Sequence, residues 1–345
     1  MKKRIFAILM ALWMVSLAAC SGAAEGESAG DVKLIFGAYT TPREAYGEII
    51  QLFRDEWYAE TGQTVIFDVS YLGSGAQSRA VVDGFEADIV ALSLEADINR
   101  IQEAGLITHD WKANPYQGIV TTSVVSFAVR KGNPKGIQDW DDLAQPGLEI
   151  LTPNPSTSGG AMWNILALYG AALRGAVPGV PGDDPEAAAE FLKLVLANVT
   201  VMDKAARESI LNFEKGIGDL AITYENEILV GQHAGAQYER VIPESTILIE
   251  NPIALVDANV DKHGTRAVAE AFLDFIYTEE AQAVYAAHGL RVVLPEVAAA
   301  HTETYPPIGD PFTVGYFGGW EQIMQDVFGE TGVYTEAILQ VHGGN

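Results

Sequence analysis

Apolar and polar positions along this chain follow two periods, and the segments with each period alternate. Short apolar runs bounded by turn residues predict buried strands, and longer segments with apolar residues every three or four positions predict amphipathic helices. The predicted strands are Val32 to Tyr39, Thr64 to Val69, Ala87 to Leu92, Thr122 to Arg130, Leu148 to Thr152, Val199 to Met202, Leu220 to Tyr224 and Ile247 to Val256. Strands that alternate with helices in this way predict an α/β fold.

Two helices have clear sequence signals. The segment Thr41 to Glu44 has the form of a capping box with proline at the first helical position, and the helix it opens is predicted to end near Gly62. The stretch Ala267 to Ala287 has a strong amphipathic helical pattern. Both helices follow a predicted strand, as expected for a layered α/β fold.

Four predicted helix starts follow strands directly, and each could bind an anion. They lie at Thr40/Thr41, at Ser74/Gly75, at Ser158 to Gly160, and at Ala206/Arg207. Free backbone N–H groups and the positive end of the helix dipole make a helix start an anion receptor, although a single start is more often an ordinary capped helix. Because ligands of open α/β sheets lie beyond the carboxyl ends of the strands, two facing lobes could direct all four starts at one anion.

The N-terminal residues predict export and lipidation. A basic segment, Lys2 to Arg4, precedes an apolar run of 15 residues, Ile5 to Ala19, which is short for a membrane span and suits a signal peptide. The run ends in Leu-Ala-Ala followed by Cys20, the only cysteine of the chain. We therefore predict a lipoprotein signal peptide at 1–19 and a lipidated Cys20 with a flexible tether at 20–31; the alternative is a plain secretory signal with an incidental cysteine.

Composition narrows the classes of function. Removal of the three basic residues of the signal leaves 18 basic against 46 acidic residues, a charge of about −28, which argues against nucleic acid as a partner. One cysteine excludes disulfides, thiolate zinc sites and a cysteine nucleophile in the rest of the chain. The six histidines have no metal-like spacing, and neither a nucleophile elbow nor a phosphate-binding loop is present. The sequence thus favours a binding protein without cofactor over an enzyme.

Several separated motifs, in one order along the chain, resemble the periplasmic sulfate-binding proteins of ATP-binding-cassette (ABC) importers. They are Tyr39 to Tyr46 (YTTPREAY), Gly73 to Gly75, Ala87 to Val90, Val129 to Lys135, Asp139 to Leu143, Thr152 to Gly160 (TPNPSTSGG), Gly216 to Asp219, Glu225 to Glu227 and Phe317 to Trp320. The resemblance implies a type II two-lobe fold, each lobe a mixed, mainly parallel sheet flanked by helices, with the ligand in the interlobe cleft. It places the first lobe at 32–120 and 253–300, the second at 121–252, and a C-terminal tail at 301–345 across both.

The same resemblance implies a set of ligand-binding residues. Ser74, Gly159, Gly160 and Ala206 would give backbone N–H groups, Ser158 its hydroxyl, and Thr40 a further contact to a bound sulfate. It also implies a monomer that delivers sulfate to an ABC permease, outside the cytoplasm and held to the membrane only by the lipid on Cys20.

Tyr224 is the seventh expected ligand-binding residue: it stands where the family has a tryptophan that donates its indole N–H, and its hydroxyl would donate instead. Because a phenol can accept as well as donate hydrogen bonds, thiosulfate, molybdate and phosphate remain alternative ligands. Separately, a sensor or an enzyme on the same fold remains an alternative function.

Overall fold

The computed structural model describes residues 30–342, so the predicted signal peptide, Cys20 and most of the predicted tether lie outside the described residues. The strands are β1 (Val32–Tyr39), β2 (Val65–Leu72), β3 (Ile89–Ala91), β4 (Ile119–Arg130), β5 (Ile150–Pro153), β6 (Val199–Asp203), β7 (Leu220–Tyr224), β8 (Tyr238–Val241), β9 (Ser245–Leu255), β10 (Arg291–Val292) and β11 (Asp310–Phe312). The α-helices are α1 (Arg43–Thr61), α2 (Ser74–Val82), α3 (Glu95–Glu103), α4 (Gly159–Leu173), α5 (Pro185–Leu196), α6 (Ala206–Glu214), α7 (Glu225–His233), α8 (Asp257–His263), α9 (Arg266–Phe275), α10 (Glu279–Ala287), α11 (Pro295–Ala299), α12 (Trp320–Asp326) and α13 (Val333–His342).

The strands pair in the order β2-β1-β3-β9-β4-β7-β5-β6, and this order divides the molecule into two lobes. In the first lobe β1 runs parallel to β2 and β3. In the second lobe β5 runs parallel to β6 and β7. The long strands β4 and β9 pair antiparallel and pass from one lobe to the other. The fold is the predicted two-lobe α/β fold with mixed sheets; the residue boundaries of the lobes stay a prediction.

Each lobe has its own hydrophobic core. In the first lobe, Phe36, Tyr46 and Phe272 pack edge to face between β1 and the helices that cover it. In the second lobe, Trp140 and Trp163 are fully buried around β4, β5 and β7. The long strands contribute to both cores, so burial of apolar surface stabilises each lobe separately.

The C-terminal tail contacts the second lobe and also the predicted first-lobe segment 253–300, where Tyr305 Oη donates to the Ala286 carbonyl at 2.6 Å. β11 runs parallel to β9, with Asp310 opposite Ser245. Trp320, at the start of α12, stacks edge to face on Trp163 with ring centroids 4.9 Å apart. The tail thereby covers α4 along its length, from Trp163 in its first turns to Gly170, which faces Phe312 and Phe317.

One predicted element was wrong, and one helical stretch is divided in the structure. The capping box at Thr41 to Glu44 does not form: α1 begins at Arg43, its N-cap is Pro42, and no side chain caps it. The Thr41 side chain is buried and the Glu44 carboxylate is engaged elsewhere, so neither can cap the helix. The predicted helical stretch Ala267 to Ala287 forms two helices, α9 and α10, because the Thr278 hydroxyl caps a new helix by accepting from Ala281 N.

Candidate functional site at the interlobe cleft

The glycine turn that opens α4 presents unpaired backbone N–H groups at the cleft. Ser158 is the N-cap, its backbone extended, and its hydroxyl lies 3.4 Å from Ala161 N. A preceding turn on Asn154, whose carbonyl accepts from Ser158 N at 2.9 Å, fixes the approach to the helix. The N–H groups of Gly159 and Gly160, the first two helical residues, have no partner within a helix. The sequence prediction of a helix start at Ser158 to Gly160 is confirmed.

Glycine is required at both positions because other side chains crowd against the turn. A Cβ placed on Gly159 would lie 2.7 Å from Ser93 Oγ. A Cβ placed on Gly160 would lie 2.7 Å from Tyr224 Cε2 and 3.2 Å from the Ala206 Cβ. These distances are shorter than van der Waals contact, so the turn, Ser93, Tyr224 and Ala206 close around one small volume.

The helix start at Ser74 meets this turn from the first lobe. Gly73 is the N-cap of α2, and a Cβ on it would lie 2.5 Å from the Thr157 carbonyl oxygen. Ala76 N donates to the same carbonyl at 3.3 Å. The Ser74 hydroxyl is already used: it donates to Asp97 Oδ2 at 2.6 Å. The hydroxyl is therefore engaged within the protein, and the role of the Ser74 backbone N–H as a ligand donor stays a prediction of the resemblance.

The helix start at Ala206 adds a third N-terminus from the second lobe, and the residue that follows joins the lobes. Arg207 donates from Nη1 and Nη2 to both carboxylate oxygens of Glu44, at 2.6 and 2.8 Å, and from Nη2 to the Thr41 carbonyl at 3.0 Å. Its Nε lies 2.6 Å from Glu227 Oε2, a close charge contact in which the N–H does not point at the oxygen. The charge of Arg207 is thus balanced by protein carboxylates before any ligand enters, although its Nε–H has no hydrogen-bond partner.

Thr40 lies at the mouth of the cleft rather than at a helix start, because α1 begins three residues later. It lines a cavity of about 510 Å³ together with Gly73, Thr157, Ala205 and Arg207. Both lobes contribute to this cavity. Thr40 therefore lines this cavity, whereas the other six predicted residues are buried and do not line it.

Tyr224 ends β7 and is buried, with 1% of its surface exposed. Burial raises the pKa of its hydroxyl well above the usual value, so the phenol stays protonated and neutral. The hydroxyl lies 2.5 Å from the hydroxyl of Ser93. The sequence reasoning missed Ser93, which follows β3, because an isolated serine after a strand carries no distinctive signal.

Trp163 is a buried apolar position of α4, and its indole N–H has a polar role as well. Its indole Nε1 donates to the Ser93 carbonyl at 3.0 Å and lies 3.1 Å from Ser93 Oγ. Because Trp163 is fully buried, this bond joins the second lobe to the end of β3 in a dry environment. The only signal for it was the presence of an indole N–H, which needs a partner when it is buried.

Taken together, the site offers neutral donors and no free cation from Arg207. Within residues 30–342 no group of three or more histidine, cysteine or carboxylate side chains is arranged to hold a metal ion. In the same range no helix is both long enough and apolar enough to cross a bilayer. Backbone N–H groups at helix starts, supported by hydroxyls, suit a small anion that carries no proton.

Comparison with known proteins agrees with this chemistry. A family model for bacterial extracellular solute-binding proteins matches residues 34–291. A sulfate-binding protein from Synechococcus elongatus is 43% identical over 342 residues, which cover 98% of this chain and 96% of that protein. The thiosulfate-binding protein of Escherichia coli is 33% identical over 302 residues, which cover 86% of this chain and 88% of that protein.

Among solved structures, the sulfate-binding protein SubI from Mycobacterium tuberculosis superposes with a TM-score of 0.79 at 37% identity, covering 86% of this chain and 99% of that chain. The resemblance seen in the motifs is thereby confirmed over most of the molecule. The chain belongs to the bacterial extracellular solute-binding protein family, and within it to the periplasmic sulfate-binding proteins.

Proposed function

We propose that this protein captures sulfate between its two lobes with neutral hydrogen-bond donors and delivers it to an ABC importer. The observation that carries the proposal is the meeting of three helix starts, at Ser74, Gly159 and Ala206, around a turn that only glycine fits. The sulfate-binding names of similar proteins support the choice of ligand. A ligand with four oxygens and no proton matches a site built from donors.

The proposed donors are sufficient in number to account for micromolar binding of sulfate. A hydrogen bond to a charged group contributes about 1.5–3 kcal/mol net. Ser158 would give its hydroxyl, Tyr224 its hydroxyl, and the helix starts their N–H groups. Micromolar binding needs about 8 kcal/mol, which a handful of such bonds supplies after desolvation and lobe closure.

Selectivity follows from the same donors. Sulfate is fully deprotonated at neutral pH, whereas phosphate carries at least one proton, which needs an acceptor. A site composed of donors leaves that proton facing another donor, which is costly in a buried place. We therefore expect sulfate to bind more tightly than phosphate.

The ion pair between Arg207 and Glu44 connects the two lobes and can form only when they are close together. Arg207 belongs to α6 of the second lobe, and Glu44 to α1 of the first. The pair lies beside Ala206, one of the proposed donors. We propose that closure of the cleft on sulfate forms this pair and that opening breaks it.

Delivery, location and assembly are further parts of the proposal. Family membership supports a place outside the cytoplasm and an ABC transporter as partner. We propose that Cys20 carries the lipid that holds the protein at the outer face of the cytoplasmic membrane. We also propose that the protein acts as a monomer and performs no catalysis.

Calorimetric titration of the purified protein with sulfate, thiosulfate, molybdate and phosphate tests the ligand. We expect one sulfate per chain, with a dissociation constant on the order of micromolar or tighter. Thiosulfate is the main competitor, because thiosulfate-binding proteins are also similar to this chain. Absence of sulfate binding at millimolar concentration, with binding of another oxyanion, would overturn sulfate and keep the class of ligand.

A further inference from the structure

A pair of buried hydroxyls lies against the glycine turn of the site. Ser93 Oγ and Tyr224 Oη are 2.5 Å apart, and both residues are essentially inaccessible to solvent. They come from different lobes, Ser93 from the end of β3 and Tyr224 from the end of β7. Gly159 faces Ser93 and Gly160 faces Tyr224, so the pair spans the turn that is proposed to hold the anion.

The hydrogen bond between Ser93 and Tyr224 leaves one hydroxyl proton of the pair without a partner. Two hydroxyls carry two protons, and a bond between them uses one. Trp163 Nε1, which can only donate, lies 3.1 Å from Ser93 Oγ and fills one acceptor position of that oxygen. The remaining proton of the pair has no acceptor within it, and a buried donor without a partner is costly.

A bound anion would settle which hydroxyl keeps the free proton. A phenol is more acidic than an alcohol, so Tyr224 is the stronger donor and Ser93 the better acceptor of the two. The strongest acceptor present is then the anion, and it pairs best with the strongest donor. Donation from Ser93 to Tyr224 also polarises the phenol and strengthens its own bond.

We propose that Ser93 is a positioning residue of the binding site: its hydroxyl donates to Tyr224 and thereby turns the proton of Tyr224 toward the bound oxyanion. Trp163 holds Ser93 in place through its indole N–H. The inference rests on the proposed function, because it needs an anion at the glycine turn. It extends that function to selectivity, since a Tyr224 oxygen that already accepts from Ser93 is less available to a protonated anion such as phosphate.

A double-mutant cycle on sulfate affinity tests this role. Ser93→Ala removes only the hydroxyl: Trp163 keeps its bond to the Ser93 carbonyl, and Ser93 N keeps its bond to Ser74 Oγ at 2.9 Å. We expect Tyr224→Phe to weaken sulfate by about 10- to 100-fold and Ser93→Ala by about 3- to 10-fold. Because Ser93 acts through Tyr224, adding Ser93→Ala to Tyr224→Phe should cost less than about 2-fold more.

Ser245→Ala is the matched control. Ser245 is as buried as Ser93 and its hydroxyl also bonds within the protein, to Asp310 Oδ2 at 2.7 Å. Asn251, whose side chain contacts the Ser93 carbonyl, is six residues further along β9. Ser245 is therefore about 20 Å from Asn251 along the strand. We expect this variant to bind sulfate as the wild type does. Thermal unfolding of all the variants without ligand shows whether a loss of affinity reflects a damaged fold.

The outcomes separate this inference from the proposed function. Additive losses, no loss from Ser93→Ala, or a larger loss from Ser93→Ala than from Tyr224→Phe would each overturn the role given to Ser93. If the wild type binds another oxyanion and not sulfate, the proposed ligand is wrong, and the same cycle with that oxyanion still decides the role. If the wild type binds none of the four oxyanions, both proposals are wrong.

Discussion

Gly160→Ala is the sharpest test of the geometry of the site. The added Cβ would lie 2.7 Å from Tyr224 Cε2 and 3.4 Å from Ser158 Oγ. Ordinary contact begins at 3.4 Å, so either the ring or the turn must move by about 0.7 Å. The Tyr224 ring is fully enclosed and its hydroxyl is held by Ser93, so it cannot rotate away.

Two opposing effects determine the stability of this variant. Alanine is preferred over glycine in a helix by about 1 kcal/mol, although less in the first turn. Overpacking in an enclosed place costs about 1–3 kcal/mol. We expect the free energy of unfolding to fall by about 1 kcal/mol, and sulfate to lose at least one charged hydrogen bond, which corresponds to about 10-fold or more in affinity.

Gly47→Ala provides the control for helix propensity. Gly47 lies on the exposed side of α1, and a Cβ placed on it meets nothing within 4 Å. This variant should gain about 1 kcal/mol in stability and bind sulfate unchanged. Urea unfolding and calorimetric titration measure both quantities in both variants. A Gly160→Ala protein that binds sulfate as tightly as wild type would refute the confinement of the turn by Tyr224.

Three further substitutions test other parts of the site. Ser158→Ala removes a hydroxyl that is both the N-cap of α4 and a proposed donor to sulfate. We expect sulfate to bind about 1.5–3 kcal/mol more weakly in a titration, and the free energy of unfolding to fall by about 1 kcal/mol. Unchanged affinity would exclude the Ser158 hydroxyl as a ligand. Glu44→Gln leaves Glu227 as the only carboxylate that contacts Arg207. We expect sulfate affinity to fall by only about 1 kcal/mol, because the Arg207–Glu44 pair is partly exposed to solvent. Equal dissociation constants would show that this ion pair does not assist closure. Burial raises the pKa of Glu227 from 4.5 to about 7, so the folded protein holds this proton more tightly than the unfolded chain does. The resulting stabilisation is complete below about pH 4.5 and is lost as the pH rises to about 7. The free energies of unfolding of wild type and Glu227→Gln, measured in urea, should therefore change relative to each other by up to about 3 kcal/mol over that range. A difference that is independent of pH would contradict the raised pKa.

Local signals in the sequence were sufficient to predict most strands and three helix starts. Gly73 and Ser158 end extended segments and precede apolar helical patterns, and the structure places helix starts after both. The break at Thr278 also had a local signal, a threonine followed by two glutamates, which the longer apolar pattern obscured. These features depend on residues within one or two turns of each other, which is the range over which a sequence pattern is informative.

Contacts between distant segments could not be predicted in the same way. Glu44 fits a capping box by sequence, but in the fold its carboxylate binds Arg207, which lies 163 residues further along the chain. Trp163 fits an apolar helix face, and its indole N–H reaches Ser93, 70 residues away. In each case a long-range partner in the cleft determined the role of a side chain whose local pattern indicated something simpler.

The carboxylates nearest the cleft explain how an acidic chain can accommodate a dianion. The full chain has a formal charge of −25. Beside the site, however, Arg207 lies between Glu44 and Glu227, and Asp97 is bound by Arg100 at 2.6 Å. Surface carboxylates beyond about 8–10 Å are screened by physiological salt. The ligand would therefore experience mainly the nearby N–H and hydroxyl dipoles, whose direction is fixed by the fold, and the net charge of the surface can remain strongly negative without opposing binding.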